Sequence, residues 1–109
     1  MSEDNIPKRF REKIQEARKK NLEILDLRYE YGFPPLTKIP EEVFEIKQIK
    51  VLKLSHNEIK TIPDSIVNLS NLSELDLSFN KLTELPECIG NLSNLTTLDL
   101  SFNKLTKLP

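Results

Sequence analysis

Glycine, cysteine, histidine and tryptophan are scarce in these 109 residues: two, one, one and none. The two glycines, Gly32 and Gly90, stand far apart, so there is no glycine-rich loop to cradle a phosphate. A single cysteine, Cys88, excludes an intrachain disulfide framework. With one histidine, His56, and no clustered His or Cys spacing, no metal site and no cofactor are expected. No apolar run approaches the ~20 residues of a spanning helix, so no membrane span is expected. Met1–Asn5 is acidic and polar, unlike a secretory leader, and this places the chain in the cytoplasm as an expectation. The net charge of −1 gives no overall pull toward nucleic acid or acidic lipid. One domain with a modest core fits this length.

What is present is a period. Pro40, Pro63, Pro86 and Pro109 recur at intervals of 23, and so do Asn57, Asn80, Asn103 and Leu54, Leu77, Leu100. Self-similarity at this interval signals a solenoid of stacked units. Within a unit, Leu75 and Leu77 alternate with polar residues, the pattern of a short strand with one buried face. Successive strands would lie about 4.8 Å apart in a parallel sheet. Asn80 follows the strand, where its carboxamide can both donate and accept and so bridge neighbouring coils. Pro86 turns the chain to the convex side, where Ile89 and Leu92, like Ile66 and Leu69, fill the core from behind. Four Asn-X-Ser/Thr sequons, at Asn68, Asn71, Asn91 and Asn94, fall at equivalent places in two units and read as by-products of the period.

The segments Ile49–Pro63, Leu72–Pro86 and Leu95–Pro109 each follow L-x-x-L-x-L-x-x-N-x-L, with isoleucine at some leucine positions. They resemble leucine-rich repeats, in particular the intracellular 23-residue class with a Leu-Pro pair found in Ras-group scaffold proteins and beside Roco-type GTPases. The fold class implied is α/β: a leucine-rich repeat solenoid with a parallel concave β-sheet and an N-terminal capping helix. The expected division is a capping helix over residues 1–21 and about four repeats over 22–109. The resemblance implies a protein–protein interaction module without catalysis, or the recognition region of a larger signalling protein such as a Roco-type GTPase.

The period breaks at both ends. Leu27 and Leu54 are 27 apart, so four extra residues lie within Arg28–Pro35, and the Asn position is lost there. Tyr29, Tyr31 and Phe33 crowd this loop. They would form either an aromatic lip at the edge of the concave face or a seal folded over the end of the core. Upstream, Pro7–Lys20 reads as a helix that Ser2 or Asn5 could cap, with Pro7 in a first turn. Phe10, Ile14 and Ala17 make its apolar stripe. Seven cations (Lys8, Arg9, Arg11, Lys13, Arg18, Lys19, Lys20) face only Glu12 and Glu16. That is either a surface for an acidic partner or a solvated cap. At the other end the sequence stops in mid-repeat, which suggests a fragment of a longer protein and self-association through Leu100, Leu105 and Leu108.

The candidate binding surface is the outward face of the strands. Its rows are Ile24, Val51, Glu74, Thr97, then Asp26, Lys53, Asp76, Asp99, then Arg28, Ser55, Ser78, Ser101, and finally Tyr29, His56, Phe79, Phe102. The binding residues are expected among Tyr29, Lys53, His56, Glu74, Asp76, Phe79, Asp99 and Phe102, with Tyr31 and Phe33 as the lip. Acid beside aromatics suits a basic protein or peptide; alternatively the phenylalanines only pack on each other. Cys88 falls on the convex side and His56 on the concave rim, so the core separates them and no nucleophile–base pair forms. The repeat reading makes a direct prediction: Leu75→Ala should lower stability by roughly 2–5 kcal/mol in urea unfolding, the cost of a core cavity.

Overall fold

The computed structural model describes residues 6–109. Helix α1 (Lys8–Lys20) precedes strands β1 (Ile24–Asp26), β2 (Val51–Lys53), β3 (Glu74–Asp76) and β4 (Thr97–Asp99). The strands form one parallel sheet in sequence order. Leu25, Leu52, Leu75 and Leu98 are in register across it. The ladder continues one residue past each strand, as Leu27 N–H bonds Lys53 O (2.8 Å) and Leu54 N–H bonds Asp76 O (2.9 Å).

The opposite side of each coil is a short 3₁₀ turn: Glu41–Glu45, Asp64–Asn68 and Glu87–Asn91. Pro40, Pro63 and Pro86 sit just before these turns in extended conformation. Proline has no N–H to waste there and its φ is already set. Each proline carbonyl accepts from the N–H three residues on, at 3.0–3.1 Å. Val43, Ile66 and Ile89 point back from these turns to meet the strand leucines in one continuous core.

Helix α1 lies along β1 and buries Phe10, Ile14 and Ala17. Its stripe covers the sheet edge that has no preceding coil, the service a terminal repeat needs. The proposed caps Ser2 and Asn5 lie outside the described residues. Pro7 precedes the helix rather than sitting in its first turn, and its carbonyl accepts from Phe10 and Arg11. Asn21 ends the helix in the left-handed region, a common stop signal.

Asparagine side chains hold the coils together. The Asn80 amide donates to Leu54 O (3.0 Å) in the coil before and to Leu77 O (3.1 Å) in its own. Its oxygen accepts from Ile59 N–H (3.0 Å). Asn57 does the same with Leu27 O, Leu54 O and Leu36 N–H, and Asn103 with Leu77 O, Leu100 O and Leu82 N–H. Each asparagine therefore serves the coil before it. The first coil has none to serve, and Glu30 occupies the position. There Arg9 of α1 reaches over instead, donating to Arg28 O (2.8 Å) and Glu30 Oε1 (2.9 Å).

A second ladder runs outside the first. Gln48 donates to Ala17 O, Asn71 to Lys47 O and Asn94 to Ser70 O. Two of the sequon asparagines thus hold backbone of the preceding coil, which the sequence reading had treated as incidental. The periodic Asn-Leu pair was the available signal.

Asn80→Ala would orphan the buried Ile59 N–H and leave Leu54 O and Leu77 O with one donor each, from Asn57 and Asn103. An orphaned buried N–H costs about 1–3 kcal/mol, so the variant should lose about that much in urea unfolding. Asn103→Ala should lose less, because Asn103 is only half-buried and water can replace it.

Candidate functional site

The third and fourth coils leave their strands through the same turn. Asp76 Oδ1 accepts from Ser78 N–H (3.0 Å) and Ser78 Oγ–H (2.7 Å). Asp99 takes Ser101 in the same way, at 3.1 and 2.6 Å. This is the short turn that an aspartate makes with the backbone two residues on. It commits one oxygen of each carboxylate to structure. The Ser101 hydroxyl, then its N–H, hold the Asp99 carboxyl below the usual carboxylate range. In the first coil Arg28 fills the serine position and donates to both Asp26 oxygens, from Nε at 2.9 Å and Nη2 at 2.7 Å. That bond lowers the Asp26 pKa and neutralises its charge. Lys53 takes the aspartate position in the second coil, in register between Asp26 and Asp76. Acid on this face is therefore concentrated at Glu74, Asp76 and Asp99.

The serine row is not available surface. Ser55 and Ser78 are buried, contrary to the outward placement expected from alternation, and only Ser101 is exposed. The turn draws the Ser78 hydroxyl back onto Asp76 instead of presenting it outward.

The next residue in each coil is the most distinctive. His56, Phe79 and Phe102 have φ of 61°, 57° and 58°. The left-handed region costs an ordinary L-residue about 1–2 kcal/mol. Asparagine or glycine would fill the position at less cost. The fold needs this conformation here, because it brings the following asparagine inward while its own N–H still bonds the next coil. His56 N–H reaches Ser78 O (3.1 Å) and Phe79 N–H reaches Ser101 O (2.9 Å).

These three rings form a column. His56 and Phe79 stack at 4.2 Å between centroids, and Phe79 and Phe102 at 4.3 Å, each pair within 10° of parallel. One ring per coil nearly matches the ~4.8 Å strand spacing, so stacking requires little adjustment. The column remains open to solvent along its edge, with Phe79 41% and Phe102 71% exposed. The rings therefore do both things the sequence suggested: they pack on each other and they line a surface.

Tyr29 occupies the equivalent position in the first coil but lacks the positive φ. It lines a cleft of about 220 Å³ together with Pro35, His56, Asn57 and Glu58.

The expected lip of Tyr31 and Phe33 is not an edge of this face. A tight turn, closed by Phe33 N–H to Glu30 O (3.1 Å) and set by Gly32 at φ 94°, takes up inserted residues. It leaves Tyr31 93% exposed. Phe33 turns toward α1, where the Arg9 guanidinium lies 4.7 Å from the Phe10 ring centre and 5.8 Å from that of Phe33. Phe33 also lines a groove of about 350 Å³ with Pro7, Lys8, Arg9, Glu12 and Pro34. The helix is less basic in effect than its sequence. Lys8 pairs with Glu12, Arg9 with Glu30, Arg18 with Glu45 and Lys20 with Glu16.

Cys88 lies on the 3₁₀-turn side with its thiol toward Asp64 O and Oδ1. Desolvation first, then Asp64, raise its pKa, so it is no activated nucleophile. It is separated from His56 by the core. Among the described residues no group of acidic, His and Cys side chains converges to hold a metal.

The column's energetics can be tested directly. Phe102 stacks on one neighbour, worth about 0.5–1.5 kcal/mol, and pays a left-handed penalty of similar size. Phe102→Asn should leave stability within roughly 1 kcal/mol of the parent. Phe79→Asn breaks two stacks and should be the more destabilising of the two. Thermal unfolding of both variants measures the difference.

The Leptospira interrogans leucine-rich repeat protein has 38% identity over 88% of this chain, with a TM-score of 0.75. The Shigella effector leucine-rich repeat domain superposes over 98% of this chain with a TM-score of 0.78 at 24% identity, a likeness of fold alone. The chain spans 24% of the first structure and 46% of the second. No curated protein matches at a significant level. The family profile described as "Leucine rich repeat" matches residues 20–82, more than half of the chain, and that described as "Leucine Rich repeats (2 copies)" matches 70–109. With a parallel sheet in sequence order, an asparagine ladder and a 23-residue period, the chain belongs to the leucine-rich repeat family.

Proposed function

We propose that the concave sheet face, from the second to the fourth coil, is a docking surface for a basic segment of a partner protein. Leucine-rich repeat domains are generally protein-interaction modules, and such repeats are typically non-catalytic. The observation that carries the reading here is the solvent-open column His56–Phe79–Phe102, held in a costly backbone conformation beside Asp76 and Asp99. Rigid aromatic area anchors partners at small entropic cost. The outward carboxylate oxygens supply charge complementarity and orient the encounter.

The rings also limit how a cation can engage. Phe79 has a neighbour on each face, so no ammonium group can sit over it. Its exposed part is its edge, which is apolar and weakly positive. The aliphatic stem of a lysine or arginine can lie along that edge with its head on the carboxylates, the arrangement long cationic side chains favour. Lys53 opposes a cation at the second coil, which places the attraction at the third and fourth. A recognition region within a longer signalling protein is compatible with the same surface.

Selection of binders from a random peptide library on the parent protein should enrich Lys- and Arg-bearing sequences. Their affinity should fall by roughly tenfold or more in the Asp76→Lys/Asp99→Lys double variant, since opposite-charge pairs at an interface become repulsive ones. Binders that ignore this variant and respond to Ser65→Lys or Glu42→Lys on the other side would overturn the assignment.

A further inference from the structure

The aromatic column has a break, and the break is a cleft. His56 stacks on Phe79 with one ring face, and the strand order puts its other face toward the first coil. The next ring in the row, Tyr29, does not continue the stack. It lacks the left-handed conformation of His56, Phe79 and Phe102. Its coil has Glu30 in place of the ladder asparagine, and the inserted turn follows directly. The resulting cleft of about 220 Å³ is lined by Tyr29, Pro35, His56, Asn57 and Glu58.

The chemistry of the lining is specific. Asn57 has its amide and its oxygen engaged by backbone, so it offers nothing further. Tyr29 and His56 offer aromatic surface, Pro35 an apolar floor. The charged group is Glu58, whose backbone is fixed by a bond from its N–H to Leu36 O at 2.8 Å. Its carboxylate is exposed and makes no hydrogen bond or ion pair among the described residues.

We propose that this cleft is an arginine subsite: a guanidinium from the partner segment inserts beside His56 and Tyr29 and is held by the Glu58 carboxylate. Among side chains only arginine joins a planar face that stacks on aromatic rings to a fork of donors that fits a carboxylate. Lysine has the charge without the plane, and phenylalanine has the plane without the charge. The inference rests on the reading of the sheet face as a docking surface and adds to it. The cleft fixes where a basic segment starts, one coil before the acidic pair Asp76 and Asp99.

The test titrates the full chain with acetyl-Gly-Arg-Gly-amide, followed by the aromatic NMR signals of Tyr29 and His56. It is run at one fixed pH throughout. Parallel titrations use the lysine, citrulline and phenylalanine peptides. Saturable shifts at both rings are expected with arginine. Binding should be several-fold weaker with lysine, and weaker again with citrulline, which keeps the planar head and loses the charge. Glu58→Gln should weaken arginine binding several-fold while leaving the Phe102 signals and the melting temperature in place. Equal responses to lysine and arginine, or a preference for phenylalanine, would overturn the subsite. Arginine-dependent shifts confined to Asp76 and Asp99 would also overturn it while leaving the docking face standing. If basic binders instead map to the 3₁₀-turn side, the docking face fails and the subsite with it.

Discussion

A solenoid coil must turn between its strand and its return, and the turn leaves backbone groups facing the core. The structure depends on how those groups are paired. Asn57, Asn80 and Asn103 each satisfy two carbonyls and one N–H, and each reaches across to the preceding coil. A buried carboxamide can do this because it donates twice and accepts at one atom, with no charge to desolvate. The period of 23 is the length of chain needed to return to the same place one strand spacing further on. The strand leucines and the convex isoleucines could slide by a residue in a loose stack. The asparagines cannot, since a shift would break the bonds that hold the Leu27, Leu54, Leu77 and Leu100 carbonyls and the Leu36, Ile59 and Leu82 N–H groups.

The same constraint produces the surface. To bring the asparagine inward, the residue before it is forced into the left-handed region, and its side chain is thrown outward at the rim. In this chain that residue is His, Phe and Phe in successive coils. Because the second, third and fourth coils repeat the turn, the rings come into parallel alignment about one strand spacing apart. Aromatics at a strained position therefore yield an aligned column, a surface that isolated turns would not give. The strain falls on each coil separately, while the stacking gain depends on having neighbours, so the middle ring is the best compensated.

The sequence made the strands, their parallel order, the first asparagine ladder and the buried stripe of α1 legible, because each recurs or alternates with a fixed interval. Ser55 and Ser78 were misplaced for a definable reason. Strict alternation assumes extended backbone, and the left-handed residues His56 and Phe79 that follow these serines end the extension early. The residues of the candidate surface were identifiable by position. Their conformation was not, since no propensity argument places phenylalanine at positive φ. The Phe-Asn pair repeated at Phe79-Asn80 and Phe102-Asn103 was the only trace. Phe33 and Tyr31 were harder still. Their loop occurs once, so no repeat reports on it, and its direction is decided by Gly32 and by Arg9 from another element.

The first coil shows how a repeat is adapted to pack against a helix instead of another coil. It dispenses with the ladder asparagine, uses Arg28 to neutralise Asp26, and receives Arg9 and the stripe of α1 where another coil would sit. Each of these changes removes something the later coils present. The free carboxylate goes, the aligned ring goes, and the acidic row begins only at Asp76. The polarity of the face from one end to the other is thus a consequence of starting a stack. A ligand that reads this face meets a cleft at the adapted coil and a regular, charged, aromatic surface beyond it. On the proposed docking reading, this polarity would give a docked chain a direction without any asymmetry in the repeat itself.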